Sequence, residues 1–139
     1  MNGRTFLDTN IFIYSFDQSS PSKARRSVNL IREAIDRRKG VVSFQVVQEF
    51  FNVALRRFAT PMTTAEAAQY LATTFQPLLS VQSSERLYNR AFQIDSHRLS
   101  WYDSLIVAAA LESHSDVLLT EDLQDGQKFG SLIVRNPFI

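Results

Sequence analysis

The sequence predicts an α/β domain with a mostly parallel central sheet of 4–5 short strands and helices on both faces. Three observations carry that expectation. Short apolar runs at residues 4–7, 41–42, 78–81, 117–120 and 131–134 alternate with longer amphipathic stretches, as strand–helix–strand units do. The runs are nearly continuous in apolar residues, as strands buried on both faces require. With 139 residues, 45% of them hydrophobic and 21% charged, residues 1–139 read as one domain able to bury its own core.

Taken in order, residues 4–7 form a strand that gives way at Asp8-Thr9-Asn10 to a helical turn through Ile11 to Phe16. Ser20 and Pro21 read as an N-cap and a first helical position. They open an arginine-rich helix whose Val28, Leu30, Ile31 and Ile35 form one buried stripe and which Gly40 ends. Val41-Val42 is the second strand. Ser43 caps a helix carrying Val46, Val47, Phe50, Val53, Ala54 and Phe58, with Glu49 on the shoulder of its apolar arc.

Thr63-Thr64-Ala65-Glu66 offers a capping box for a helix to about Phe75, and Pro77 breaks the chain before the third strand. Ser83 or Ser84 starts a helix through Leu87, Ala91 and Ile94 to about Leu99. Another follows from Trp101 or Tyr102 to Ala110, with Asp103 in its first turn. The fourth strand ends at Glu121-Asp122, and a glycine-containing loop leads to the fifth.

Fifteen Lys and Arg against 14 acids give a net charge of +1, so any contact with nucleic acid or membrane must come from local patches. The pairs Arg25-Arg26, Arg37-Arg38 and Arg56-Arg57 suit solvated helix faces as well as phosphate contacts. Without cysteine there is no disulfide, thiolate metal site or thiol nucleophile. The chain enters its first strand without a charged-then-apolar leader, and no apolar stretch approaches the ~18 residues of a membrane span. The expectation is a soluble cytoplasmic protein with no membrane partner.

Ligands of open α/β sheets bind outside the carboxyl ends of the strands. Asp8, Glu49, Asp103 and Asp122 all map to that end. Asp8 sits between two apolar runs, where an unpaired carboxylate costs several kcal/mol. It either caps the following helix or helps hold a cation. Two carboxylates at ~4 Å repel by about 4 kcal/mol at an effective dielectric of ~20, so a cluster of four needs protons or hard cations. Oxygen-only ligands favour Mg²⁺ or Mn²⁺, ions suited to phosphate chemistry. Each acid also has a plain structural reading: Asp103 as part of a Ser100-to-Asp103 capping box, Glu49 as a surface residue, Asp122 as a loop acid. Thr9, Asn10, Ser104 and Thr120 are candidate supporting donors, Thr9 serving equally well as a backbone partner. His97 and His114 are expected to face solvent.

These stretches, Phe6-Leu7-Asp8-Thr9-Asn10, Gln45 to Phe50 around Glu49, Trp101 to Ala110 around Asp103, and Leu118-Leu119-Thr120-Glu121-Asp122, carry a family likeness. The chain resembles a PIN-domain ribonuclease, most closely the VapC-type toxins of bacterial toxin-antitoxin pairs, over essentially its whole length. The resemblance implies a single PIN-like domain and a metal-dependent endoribonuclease that cuts single-stranded or looped RNA. It implies Asp8, Glu49, Asp103 and Asp122 as the catalytic, metal-holding quartet, with Asn10 and Ser104 near the metal. The fourth acid is open between Asp122, Glu121 and Asp125. A homodimer, a cognate antitoxin covering the groove, and a higher toxin-antitoxin complex are implied too, with some of Phe50, Phe51, Phe58, Tyr70 and Phe75 available for such contacts although most suit the core.

Other readings of an aspartate after the first strand fit less well. A haloacid-dehalogenase-like site wants a second acid two residues on, where Asn10 stands. A response-regulator receiver wants a lysine near the last strand, and Lys128 lies in the loop before it. The remaining alternative is a non-catalytic RNA- or protein-binding module that keeps the fold.

Overall fold

The computed structural model describes residues 3–94 and 98–139. The chain runs β1 (Arg4–Leu7), α1 (Thr9–Tyr14), α2 (Pro21–Arg37), β2 (Gly40–Ser43), α3 (Phe44–Arg56), α4 (Thr64–Tyr70), a π-helical turn (Leu71–Phe75), β3 (Leu79–Val81), α5 (Glu85–Ile94), α6 (Trp101–Glu112), β4 (Ser115–Leu119), β5 (Lys128–Phe129) and β6 (Leu132–Arg135). The strands form one sheet in the order β3-β2-β1-β4-β6-β5. All neighbours pair in parallel except β5 with β6.

The apolar strand residues explain the centre of that order. Phe6 lies beside Val41 on one side and Leu118 on the other, and Leu118 pairs onward with Val134. All four are fully buried, as the middle of a parallel sheet covered on both faces demands. The outer strands differ. β3 is an edge strand with Leu79 and Ser80 exposed, so the buried residue of that stretch is Leu78, just ahead of it. β5 is a two-residue strand at the opposite edge that the apolar pattern did not mark.

The chain leaves β1 outward to β2 and β3, then returns to the other side of β1 as β4. Parallel strands joined in this order, with the right-handed crossovers that such units adopt, call for helices on both faces of the sheet. α1 packs on α2 and α3, and α5 on α6. In α6 every residue from Ser104 to Ala110 is buried. No described helix is long and apolar enough to cross a membrane.

Local chemistry sets the helix ends. Ser43 Oγ accepts from Val46 N at 3.4 Å, Ser84 Oγ from Leu87 N at 3.0 Å and Ser100 Oγ from Asp103 N at 3.1 Å. Both halves of the Thr63–Glu66 capping box are formed. Ser20 precedes Pro21 as expected, but its side chain makes no cap bond. The described part of α5 is Glu85–Ile94; residues 95–97, through which the helix is expected to continue toward Leu99 and which include His97, lie outside the described residues.

Three helical expectations are corrected by tertiary packing. The stripe of α2 turns Ser27 and Ile31 inward, leaving Val28 at the rim and 36% exposed. The helix expected to reach Phe75 changes pitch after Tyr70, Gln76 N donating to Leu71 O at 2.9 Å. The wider turn lets Tyr70 and Phe75 both reach Phe50, at ring distances of 4.9 and 5.5 Å, which a regular helix would point apart. With Phe12, Phe16, Phe51 and Phe58 they form one aromatic cluster. Most of the aromatic surface of α3 and α4 is thus spent on packing.

Gly40 does not end α2. Arg38 does, in the left-handed conformation at φ 57°, and Gly40 opens β2. A Cβ there would stand 2.6 Å from both Ala34 Cβ and Leu78 Cδ2, so the glycine is required by close packing of α2 on the sheet. Gly40→Ala should therefore destabilise the fold by ~1–3 kcal/mol, read as a lower urea midpoint; an unchanged midpoint would show that the contact relaxes freely.

Candidate active site

The reversal of strand order leaves a crevice at the carboxyl ends of β1 and β4, the switch point where open α/β sheets bind ligands. Four elements deliver acids to one cleft of about 290 Å³ there. Asp8 follows β1, Glu49 stands on α3, Asp103 lies in the first turn of α6 and Asp122 follows β4, and all four line the cleft.

Asp8 is the buried member, 7% exposed. It caps α1 and takes part in the site at once. Thr9 N donates to its Oδ1 at 2.7 Å and Thr120 Oγ1 to its Oδ2 at 2.8 Å. The Thr120 hydroxyl also accepts from Asp122 N at 3.1 Å, tying the end of β1 to the turn after β4. Thr9 Oγ1 donates to Glu49 Oε1 at 2.8 Å, so Thr9 serves an acid through its side chain as well as through its backbone. Asn10 Nδ2 approaches Asp122 Oδ2 at 3.4 Å. Ser104 is fully buried and is not on the cleft wall, whereas its neighbour Asp103 is.

The sequence left three acids in contention for the fourth position, and their partners separate them. Glu121 is taken by the Tyr14 hydroxyl and by Lys23 Nζ at 3.3 Å, beneath which lie the rings of Tyr14 and Phe138. Asp125 accepts from Asn136 N at 2.8 Å. Of the three, only Asp122 lines the cleft.

Among the described residues, none of the four cleft acids forms an ion pair with a lysine or arginine. Burial pushes the Asp8 carboxyl up to about 6 from its ordinary 3.8; the Thr120 and Thr9 hydrogen bonds oppose this, and the charges of Asp122 and Glu49 add to it. Asp122 is raised as well, first by burial and then by Asp103, Glu121 and Glu49. Among the described residues, no three His, Asp or Glu side chains stand together as a ready-made ion cage. Bare carboxylates repel one another, so drawing the four closer takes protons or a cation. The donor chemistry, hard oxygens without thiol or imidazole, fits Mg²⁺ or Mn²⁺.

Gln45, Asn52 and Tyr102 also line the cleft; Gln45 and Tyr102 fall within the stretches that carry the family likeness, but the sequence assigns none of the three a role. Gln45 and Asn52 share the Glu49 face of α3 at i−4 and i+3, a signal that helical spacing already contained. Gln45 Nε2 approaches the Tyr102 carbonyl oxygen at 3.4 Å, joining α3 to α6. His114 is exposed, in a left-handed turn after α6, and takes no part.

A mostly parallel sheet with acids gathered at its switch point defines the class. The PIN domain model matches residues 5–124, and the chain belongs to the PIN domain family. Its fold is similar to a toxin-antitoxin complex from Klebsiella pneumoniae, with 18% identity, 96% of this chain and 98% of that one covered, and a TM-score of 0.66. It is similar to FitAcB from Neisseria gonorrhoeae, with 20% identity, 96% and 98% coverage and a TM-score of 0.68. A third similar structure is VapC20 from Mycobacterium tuberculosis, described as a sarcin-ricin loop cleaving toxin, at 17% identity, 85% and 91% coverage and a TM-score of 0.58. No curated protein matches the chain by sequence.

The raised Asp8 carboxyl has a consequence for stability without metal. Because its folded value, about 6, lies above the ordinary 3.8, its contribution is full below about pH 3.8 and is lost as pH rises through about 6. At pH 7.5 in chelator, Asp8→Asn should be more stable than the parent by up to ~3 kcal/mol, with the advantage shrinking as pH falls toward 4. Denaturant titrations at both pH values check this, and a variant less stable at pH 7.5 would contradict it.

Proposed function

We propose that this PIN-domain chain is a Mg²⁺- or Mn²⁺-dependent endoribonuclease, the toxin of a type II toxin-antitoxin pair acting in the cytoplasm, which hydrolyses phosphodiester bonds in single-stranded or looped RNA. One observation carries the reading: acids from four separate elements meet in one cleft at the switch point, and no described lysine or arginine pairs with any of them. A fold that needed these acids only for caps or surface charge would have no reason to converge them.

Asp8, Glu49, Asp103 and Asp122 are the residues we assign to the cation. Such an ion, when bound, polarises a phosphate and makes water more acidic. The protein's own share is positional. Thr9 steers Asp8 and Glu49 together, and Thr120 couples Asp8 to the turn that carries Asp122. The Tyr14–Glu121–Lys23 knot anchors that turn beside α1 and α2.

The partners follow from the same reading. One structural neighbour is a toxin-antitoxin complex and another a toxin that cleaves the sarcin-ricin loop; looped RNA and an antitoxin protein are accordingly proposed here. An apolar groove lined by Phe16, Val28, Ile31, Ile35 and Tyr70, with Phe16 42% exposed, is a surface suited to a protein partner. We assign a homodimer, and a larger assembly with antitoxin, to the working state.

The test is cleavage of structured RNA. Mg²⁺ or Mn²⁺ should support cutting and excess chelator should abolish it. Asp8→Ala and Asp103→Asn should each lower the rate by ~100-fold or more, beyond the ~10–100-fold typical of residues one shell further out. Full activity in both variants would sink the assignment. RNA binding that is indifferent to metal, with no cutting, would favour a non-catalytic binding module.

A further inference from the structure

Tyr102 stands on the cleft wall directly before Asp103 and is 64% exposed. Its backbone is held on both sides. It lies in the first turn of α6, and its carbonyl oxygen accepts from Gln45 of α3. The ring is therefore presented by a fixed backbone, yet among the described residues it stacks on no other ring and no cation lies over it. The contrast is local. Trp101, one residue earlier, stacks on Phe92 at 5.2 Å and 24°, and the rings lining the core pack among themselves.

An aromatic face left in water beside a set of carboxylates narrows the ligand it suits. An apolar protein segment laid over the ring would have to desolvate the unpaired acids next to it, at a cost of several kcal/mol, whereas a basic segment would compete with RNA for the same wall. Single-stranded RNA meets both features, since its phosphate belongs at a cation-binding acid cluster and every nucleotide carries a flat base. Sequence-specific RNA recognition commonly places splayed bases on aromatic rings and hydrogen-bonds their edges. Asn52, an exposed amide on the α3 wall of the same cleft, offers such a donor and acceptor.

We propose that Tyr102 is a stacking platform that seats the base of a nucleotide beside the phosphate to be cut, making this cleft wall a nucleobase subsite. The inference rests on the ribonuclease reading and deepens it. Stacking of this kind is held equally in the ground and transition states, so its loss appears in KM rather than in kcat.

The experiment compares Mg²⁺-dependent cleavage kinetics of the parent, Tyr102→Phe and Tyr102→Ala proteins. The substrates are a single-stranded RNA and an oligomer of the same length whose nucleotides around the cut site lack bases. Tyr102→Ala should raise KM at least about fivefold on the base-bearing RNA with kcat within about twofold. Tyr102→Phe should match the parent, and the Ala penalty should vanish on the abasic oligomer. Thermal melting should change little in either variant, since the residue is mostly exposed and stacks on no described ring. If the parent cuts RNA and Tyr102→Ala has the parental KM, or loses only kcat, or keeps its penalty on the abasic oligomer, the stacking role is overturned and the ribonuclease reading stands. If the parent neither binds nor cuts RNA with Mg²⁺ or Mn²⁺, both fall together.

Discussion

The structure depends on one unfavourable placement: the Asp8 carboxylate, buried at the carboxyl end of the central strand with like charges around it. Among the described residues only neutral donors compensate it, one from the backbone of Thr9 and one from the hydroxyl of Thr120. Hydrogen bonds of this kind offset part of the desolvation cost but leave the charge itself unbalanced. The carboxyl accordingly sits near 6 and not near 3.8. A residue kept at such a cost to the metal-free fold marks a place where a positively charged ligand would relieve the strain.

The rest of the architecture can be understood as what holds that placement still. Parallel pairing of β1 with both β2 and β4 brings the ends of two strands side by side, and the Thr120 hydroxyl bridges them. The aromatic cluster around Phe50 fixes α3 against α1, so that Glu49 comes within reach of the Thr9 hydroxyl. Helix α6, buried over most of its length, delivers Asp103 from a turn capped by Ser100. Lys23, itself over the Phe138 ring, and Tyr14 hold Glu121, and the chain direction this imposes leaves Asp122 to the cleft. Four elements with unrelated packing partners therefore serve one small volume.

Much of this was legible in the sequence because it is local. The strand–Asp-Thr-Asn–helix junction, the Ser43, Thr63 and Ser100 caps and the shoulder position of Glu49 all follow from spacing within a few residues. Of the two readings of Asp8, the cap is formed by one carboxylate oxygen, while the other accepts from the Thr120 hydroxyl at the cleft. What could not be read depends on partners distant in the chain. Glu121, Asp122 and Asp125 look alike until Tyr14, Lys23 and Asn136 claim two of them. Gly40 resembles a helix stop, whereas its reason is the approach of Ala34 and Leu78. Val28 belongs to the apolar arc of α2 but falls on its open edge, and the pitch change after Tyr70 answers to rings on α3. β5, two residues long, carries too little pattern to be seen.

The central claim is that Asp8, Glu49, Asp103 and Asp122 are one cation site. Mn²⁺ binding followed by electron paramagnetic resonance at neutral pH tests it without any substrate. The account predicts saturable binding by the parent protein, weakened in each of Asp8→Asn, Glu49→Gln, Asp103→Asn and Asp122→Asn and lost when Asp8→Asn and Asp122→Asn are combined. Parental affinity retained in the combined variant, or no binding by the parent, would contradict it.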